Sequence, residues 1–234
     1  MVVSVIMPAF NAEKYVQEAI ESVLSQRFDR YELLVADDCS TDRTGAILRT
    51  YARHPRVHVL SNARTDGAAA TRNRLIREAK GMYITPCDAD DIMLPGNLRR
   101  LSEFLDHHPE IGVVYADILE IQIDENEELL EMPRVCGVDC NTIWDLEENV
   151  VNHGGCMSRK EVLLKVGGYD ESVRSVDDWS LWLKVAEVAR IHYLGGEVYY
   201  VWRRHPKSMT RTDDRRREDI EKIIRDAAIR RGFQ

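Results

Sequence analysis

The sequence predicts an α/β fold: a single domain with a mostly parallel central sheet flanked by helices. Three observations carry that expectation. Short β-branched runs alternate with amphipathic helical stretches through the first 110 residues, the pattern of successive βαβ units. Acidic clusters stand where two of those runs end, the place where open α/β sheets present their ligand sites. The 234 residues, 44% of them hydrophobic, contain no Pro/Gly/Ser-rich linker, so one shared core is expected.

The elements follow in order. Residues 2–7 form a short apolar run stopped by Pro8, a buried parallel strand by length and branching. Asn11 is placed to cap the next helix, whose stripe is Val16, Ala19, Ile20, Val23 and Leu24. A strand at 32–36 ends in Asp37-Asp38-Cys39-Ser40-Thr41, and a helix then puts Thr44, Ile47, Leu48 and Tyr51 on one face. A third strand covers 57–60. A third helix covers 68–80, with Gly81 at the position after its C-terminus. The strand at 83–85 runs into Cys87-Asp88-Ala89-Asp90-Asp91, and a helix at 97–107 closes this half. From 111 the texture changes to a long β-rich run to 123, with an acidic hairpin tip or loop at 124–128. Short helices are expected at 159–166, ended by Gly167-Gly168, and at 178–189. Strands at 190–194 and 197–202 then precede a charged C-terminal helix over 213–231.

Composition excludes several classes. A net charge of −8 and a pI near 5.4 argue against nucleic-acid binding. No apolar run approaches a membrane span, and the first residues read as core strand rather than signal peptide, so a cytoplasmic protein is expected. Five cysteines with no CxxC spacing favour free thiols; Cys136 and Cys140 are the only close pair, a weak metal signal. No GxGxxG follows the first strand and no GxxxxGK[ST] occurs, which sets aside dinucleotide and P-loop chemistry.

What remains are carboxylates. Asp88, Asp90 and Asp91 repel one another unless a cation or proton intervenes. An Asp-x-Asp spacing carried on from a strand would turn its two outer carboxylates to one side, and hard oxygen ligands of this kind suit Mg²⁺ or Mn²⁺. The same stretch also reads as a solvated acidic turn. Asp177-Asp178 opens a late helix, where favourable interaction with the helix dipole explains it equally well.

Taken together, Val3-Ser4-Val5-Ile6-Met7-Pro8-Ala9-Phe10-Asn11, Asp37-Asp38-Cys39-Ser40-Thr41-Asp42, Ala70-Thr71-Arg72-Asn73 and Asp88-Ala89-Asp90-Asp91 resemble family 2 glycosyltransferases in order and spacing. The later pieces fit too: Gly167-Gly168-Tyr169-Asp170-Glu171, Asp177-Asp178-Trp179 and Arg203-Arg204-His205. The resemblance spans nearly the whole chain. It implies a GT-A, Rossmann-like fold, with a nucleotide-binding half at 1–110 and an acceptor-binding half at 111–234. It also implies transfer, with inversion, from a nucleotide diphosphate sugar, most simply a UDP-sugar, to an acceptor hydroxyl, using Mn²⁺ or Mg²⁺. By resemblance Asp90 is the metal ligand, and Asp88, with Ala89 beside it, lies near the ribose and metal-bound waters. Asp38 accepts from the imide N–H of uracil, while Pro8, Ala9, Phe10 and Asn11 line the base and ribose. Arg72 is the partner of the diphosphate or of Asp88. The base that takes the acceptor's proton is Asp178, with Asp177 as second candidate. His205 stands near the diphosphate or metal, or at a solvated strand end. Trp179 and Trp182 are candidates to stack on a sugar, although at helical spacing Trp182 reads as core.

Two departures qualify the resemblance. Asp177 stands where relatives often carry Glu, which loosens the assignment of the base. The Gln-x-x-Arg-Trp element of processive relatives is missing, which points to transfer of one sugar at a time. The rivals are a sugar-1-phosphate nucleotidyltransferase, which would want a Gly-rich basic loop after the first strand, and a degenerate module that binds nucleotide sugar without turnover. The acceptor is not legible; the loop Asn152-His153-Gly154-Gly155-Cys156-Met157 would shape its site. In the tail, Ile220, Ile223, Ile224, Ala227 and Ala228 form a narrow stripe expected to pack on the body or a partner subunit. Arg211 and its basic neighbours leave open a peripheral contact with the inner face of a membrane.

Overall fold

The computed structural model describes residues 2–139, 149–209 and 214–232. Cys140, Arg211 and Asp213 lie outside the described residues.

The parallel half is built from β1 (Val3–Ala9), β2 (Tyr31–Asp37), β3 (Val57–Ser61) and β4 (Tyr83–Pro86), with β1 central between β2 and β4. Its helices are α1 (Val16–Leu24), α2 (Thr44–Tyr51), α3 (Ala68–Glu78) and α4 (Asn97–His107). Because strand side chains alternate, Val3, Val5 and Met7 pack with α1, α2 and α4, while Ile6 packs with α3 on the other face. Both faces are covered, which is why β1 and β2 read as continuous apolar runs.

The sheet continues without a break into β6 (Ile111–Gln122), β8 (Cys156–Arg159) and β9 (Arg190–Arg204), in the order β3-β2-β1-β4-β8-β6-β9. Here β8 runs antiparallel to β4 and β6, β9 runs parallel to β6, and the two-residue β5 (Ile92–Met93) pairs antiparallel with β9. An edge strand, β7 (Arg134–Cys136), adds to β6. On the α3 face lie α5 (Lys160–Lys165), α6 (Asp177–Val185) and α7 (Arg216–Arg230).

Several expectations need correction. Asn11 does not cap α1. It takes a left-handed conformation (φ 49°), and its Oδ1 accepts from the Thr41 N–H at 2.9 Å, joining the ends of β1 and β2. α3 ends at Glu78, and Gly81 serves close approach rather than a left-handed cap. A Cβ there would lie 2.6 Å from the Ser4 nitrogen. The two strands expected at 190–202 are one strand. Gly196 (φ 93°) interrupts the pattern, but its N–H is held by Asp117 Oδ2 at 3.0 Å while the ladder with β6 shifts register and resumes. The strands β5, β7 and β8 are too short or too weakly branched to stand out in sequence. In α7 the stripe turns inward only at Ile223 and Ala227, with Ile220 packed beside them, whereas Ile224 is exposed. The helix thus packs on the body. No helix among the described residues is long and apolar enough to cross a membrane.

Candidate active site

The site forms where β1, β2 and β4 end, and α3 ties its parts together. At the end of β2, Asp38 is buried and its carboxylate faces the start of α3. Oδ1 accepts from Asn62 Nδ2 (2.6 Å) and the Asp66 N–H (2.9 Å), and Oδ2 accepts from the Gly67 N–H (2.9 Å). A carboxylate there satisfies orphan amides and suits the positive end of the helix dipole. Three of about four lone-pair positions are then used.

One turn further on, α3 presents Thr71, Arg72 and Asn73 inward. Asn73 clamps the segment after α5: its Oδ1 accepts from the Tyr169 N–H (2.8 Å), and its Nδ2 donates to the Tyr169 carbonyl (3.0 Å) and to Glu171 (2.9 Å). Gly168, at φ 74°, makes room for this, since a Cβ would fall 2.2 Å from Asn73 Oδ1. Arg72 lies under the Tyr169 ring, 5.5 Å from its centroid, and bridges two acids. It donates from one terminal nitrogen to Asp88 (2.6 Å) and from the other to Asp177 (2.6 Å). The acidic turn after β4 and the acidic start of α6 are therefore brought to one place, 89 residues apart in sequence.

One guanidinium serving two carboxylates does not neutralise both alike. Burial raises the pKa of Asp88, but Arg72 outweighs it and holds the group below its ordinary value. At Asp177 burial dominates, Arg72 opposes it, and the charges of Asp178 and Asp88 add to it, so its pKa is pushed up to about 6. Burial also works against the charge on Arg72, but Asp88 and Asp177 prevail and keep it protonated.

The acids after β4 lie in a turn, with the Asp91 N–H donating to the Asp88 carbonyl at 3.1 Å. They are therefore not placed by strand alternation. Each meets a different element. Asp91 is buried: its Oδ2 accepts from the Tyr200 hydroxyl (2.8 Å) and its Oδ1 from the Arg203 N–H (2.8 Å). Tyr200 in turn accepts from the Asp88 N–H at 3.0 Å, so this one side chain of β9 fixes both ends of the turn. Burial, with Asp90 and Asp88 nearby, raises the Asp91 pKa well above the usual range. Asp90 is about one-third exposed, and its Oδ2 lies 3.1 Å from His205 Nε2. His205 Nδ1 accepts from the Lys207 N–H at 3.3 Å, which leaves Nε2 as the donor toward Asp90. Tyr15 and Arg203 back this histidine: the Tyr15 ring is 4.9 Å from the imidazole, and Arg203 lies 4.7 Å over Tyr15.

No group of three or more His, Cys, Asp or Glu side chains among the described residues forms a ready-made metal cage. Asp90 nonetheless fits the chemistry of Mn²⁺ or Mg²⁺. It is an accessible, oriented carboxylate beside a second acid, Asp88, and such ions take one or two carboxylates with phosphate and water oxygens completing the shell.

The other expected residues fall as follows. Pro8 and the buried Ala9 end β1, Phe10 stands 52% exposed beyond them, and Ala89 is buried inside the acidic turn. Asp178 is half-buried; its Oδ2 accepts from Asn149 Nδ2 at 2.9 Å and its Oδ1 from the Trp179 N–H at 2.8 Å, whereas Asp177 is buried against Arg72. Both Trp179 and Trp182 are buried, and Trp182 is core. Arg72 meets Asp88, one of its two expected partners. Sequence reasoning gave no role to Asn73, Tyr200 or Asp91. For Tyr200 no local signal exists, because its partners lie more than a hundred residues away.

The model of the family described as Glycosyl transferase family 2 matches residues 4–167. Among curated proteins, the putative glycosyltransferase EpsE of Bacillus subtilis is 32% identical over 192 residues, covering 79% of this chain and 66% of that protein. The chain spans between 23% and 66% of the length of the first curated relatives it matches. Among solved structures, S. aureus TarS 1-349 in complex with UDP-GlcNAc superimposes with a TM-score of 0.80 at 24% identity, over 98% of this chain and 66% of that one. The mannosyltransferase PcManGT from Pyrobaculum calidifontis, in complex with GDP-Man and Mn²⁺, gives 0.66 at 21% identity, over 86% and 56%. These likenesses establish the GT-A fold.

Proposed function

The chain belongs to glycosyl transferase family 2, and on that premise we propose that it moves one sugar, with inversion, from a UDP-sugar to an acceptor hydroxyl. Residues 1–110 hold the donor and residues 111–234 shape the acceptor side. The observation that carries this reading is the Arg72 bridge, which brings the acids of a leaving-group site and the acids of a base into one constellation. A bound nucleotide sugar in one structural neighbour, and a nucleotide sugar with Mn²⁺ in another, support the donor class.

Within this reaction each residue has a role. Asp38 keeps one lone-pair position for the imide N–H of the base, and the exposed Phe10 offers its ring to the nucleotide. Asp90 would hold Mn²⁺ or Mg²⁺, with His205 orienting its carboxylate; when bound, the ion neutralises negative charge on the leaving diphosphate. Asp178 takes the hydroxyl proton as the new C–O bond forms at the anomeric carbon and the bond to the diphosphate oxygen breaks. Asp178 suits this role better than Asp177, because an acceptor can displace the Asn149 amide, whereas Asp177 is buried against Arg72. The test is a thermal-shift panel of UDP, UDP-sugars and GDP-mannose with Mn²⁺ or with EDTA. UDP should stabilise the protein markedly with Mn²⁺ and little with EDTA. Equal stabilisation in both would contradict the metal site.

A further inference from the structure

His153 presents two buried ring nitrogens at this site, Nδ1 and Nε2, and neither has a hydrogen-bond partner among the described residues. The neighbouring Trp182 Nε1 is likewise unpaired among the described residues. The position of His153 is closely fixed. Gly154 and Gly155 follow it, and a Cβ on the first would fall 2.1 Å from the Tyr200 ring and on the second 2.8 Å from Ile118. The imidazole stands edge-on to Tyr169, with centroids 5.7 Å apart, and lies 5.9 Å from Trp182. Three charges act on it: Arg72, Asp88 and Asp178. Burial and Arg72, against the pull of Asp88 and Asp178, lower its pKa to about 4, so near neutrality the ring carries one donor and one acceptor.

Buried polar groups in folded proteins are almost always paired, and an exception calls for an explanation. The position of this one suggests it. In the proposed reaction, on which this inference rests, the diphosphate lies at Asp88 and Asp90 and the base is Asp178. The part of the donor that spans from one to the other is the transferred sugar. We propose that His153, although it stands in the loop expected to shape the acceptor site, is a donor-sugar binding residue, its imidazole hydrogen-bonding a hydroxyl of the sugar being transferred, and that it contributes to sugar selectivity. A neutral imidazole matches a hydroxyl, since each offers a donor and an acceptor. The nitrogens are covered in this arrangement, so contact requires a local shift as the donor enters.

The test compares His153→Phe, which keeps a ring between Tyr169 and Trp182, with His153→Gln, which restores a donor and an acceptor. Calorimetry with Mn²⁺ measures the affinity of each for UDP and for UDP-glucose, UDP-galactose and UDP-N-acetylglucosamine. The wild type should bind one of these sugars more tightly than UDP. In His153→Phe that advantage should fall about ten-fold, the worth of one neutral hydrogen bond, with UDP affinity and melting temperature held. His153→Gln should recover part of it. An unchanged advantage in both variants overturns the proposal. So does a loss of melting temperature with UDP affinity falling in parallel, which marks a structural histidine. Should the wild type bind no nucleotide at all, the reading of the function fails, and this proposal with it.

Discussion

The two acidic turns of the parallel half begin alike and end differently. After β2, Asp37 and Asp38 are tied mainly to backbone: the Ser40 N–H donates to Asp37 at 3.0 Å, and the Asp66 and Gly67 N–H groups entering α3 donate to Asp38, with the Asn62 amide beside them. After β4, Asp88, Asp90 and Asp91 draw partners from α3, β9 and the segment after β9. The first turn is closed mainly by backbone N–H groups. The second is held mainly by the side chains of Arg72, Tyr200 and His205 and keeps Asp88 and Asp90 about one-third exposed. Adjacent carboxylates of the same type thus acquire different chemistry from what faces them, as Asp177 and Asp178 also do.

The sharpest way to break this comparison is to remove one acid from each turn. Asp90→Ala should abolish the Mn²⁺-dependent part of UDP stabilisation. Asp38→Ala should weaken UDP binding while leaving its residual dependence on Mn²⁺ in place, because Asp90 alone of these two is the proposed ligand of the ion. Thermal shifts with Mn²⁺ and with EDTA read both. Identical behaviour of the two variants would erase the distinction between the turns.

A second test strikes the bridge. Arg72→Met leaves Asp88 and Asp177 without their shared cation, and breaking a buried ion pair in this way costs about 3–5 kcal/mol. Chemical denaturation should show a loss of that order. A loss near zero would mean that the bridge does not join the two acidic regions.

The third test separates Asp177 from its neighbour by pH. Its pKa in the folded protein is raised to about 6, so its contribution to stability is fully present below the ordinary carboxylate pKa and is lost as pH rises toward 6. At roughly 1.4 kcal/mol per pH unit, the loss is on the order of 3 kcal/mol. Asp177→Asn has no such titration, so wild-type stability should fall relative to this variant between pH 4 and 6 and run level above about pH 7. A relative gain for the wild type over that interval would show that the ionised pair with Arg72 dominates instead.

Much of this architecture was legible because its causes are local. The strands β1–β4 and the helices α1–α4 announce themselves through branching and periodicity, and the range 97–107 matches α4 as observed. The second half was less legible. β8 (Cys156–Arg159) is held in the sheet by neighbours on both sides rather than by its own propensity, and Gly196 divides in sequence what the β6 ladder keeps whole. The same division holds for the site. The acids were visible as types and spacings. The groups that differentiate them, Arg72 toward Asp177 and Tyr200 toward Asp91, act across more than a hundred residues and leave no local pattern.

The central claim is that the donor acids and the base form one reaction centre with separable duties. The most direct measurement takes Asp178→Asn and follows both UDP-sugar affinity by calorimetry and UDP release from the same UDP-sugar, water serving as acceptor. The account predicts affinity within about two-fold of the wild type and a rate lower by roughly 10²–10⁴-fold, the usual contribution of a general base. Near-native UDP release from this variant would contradict it.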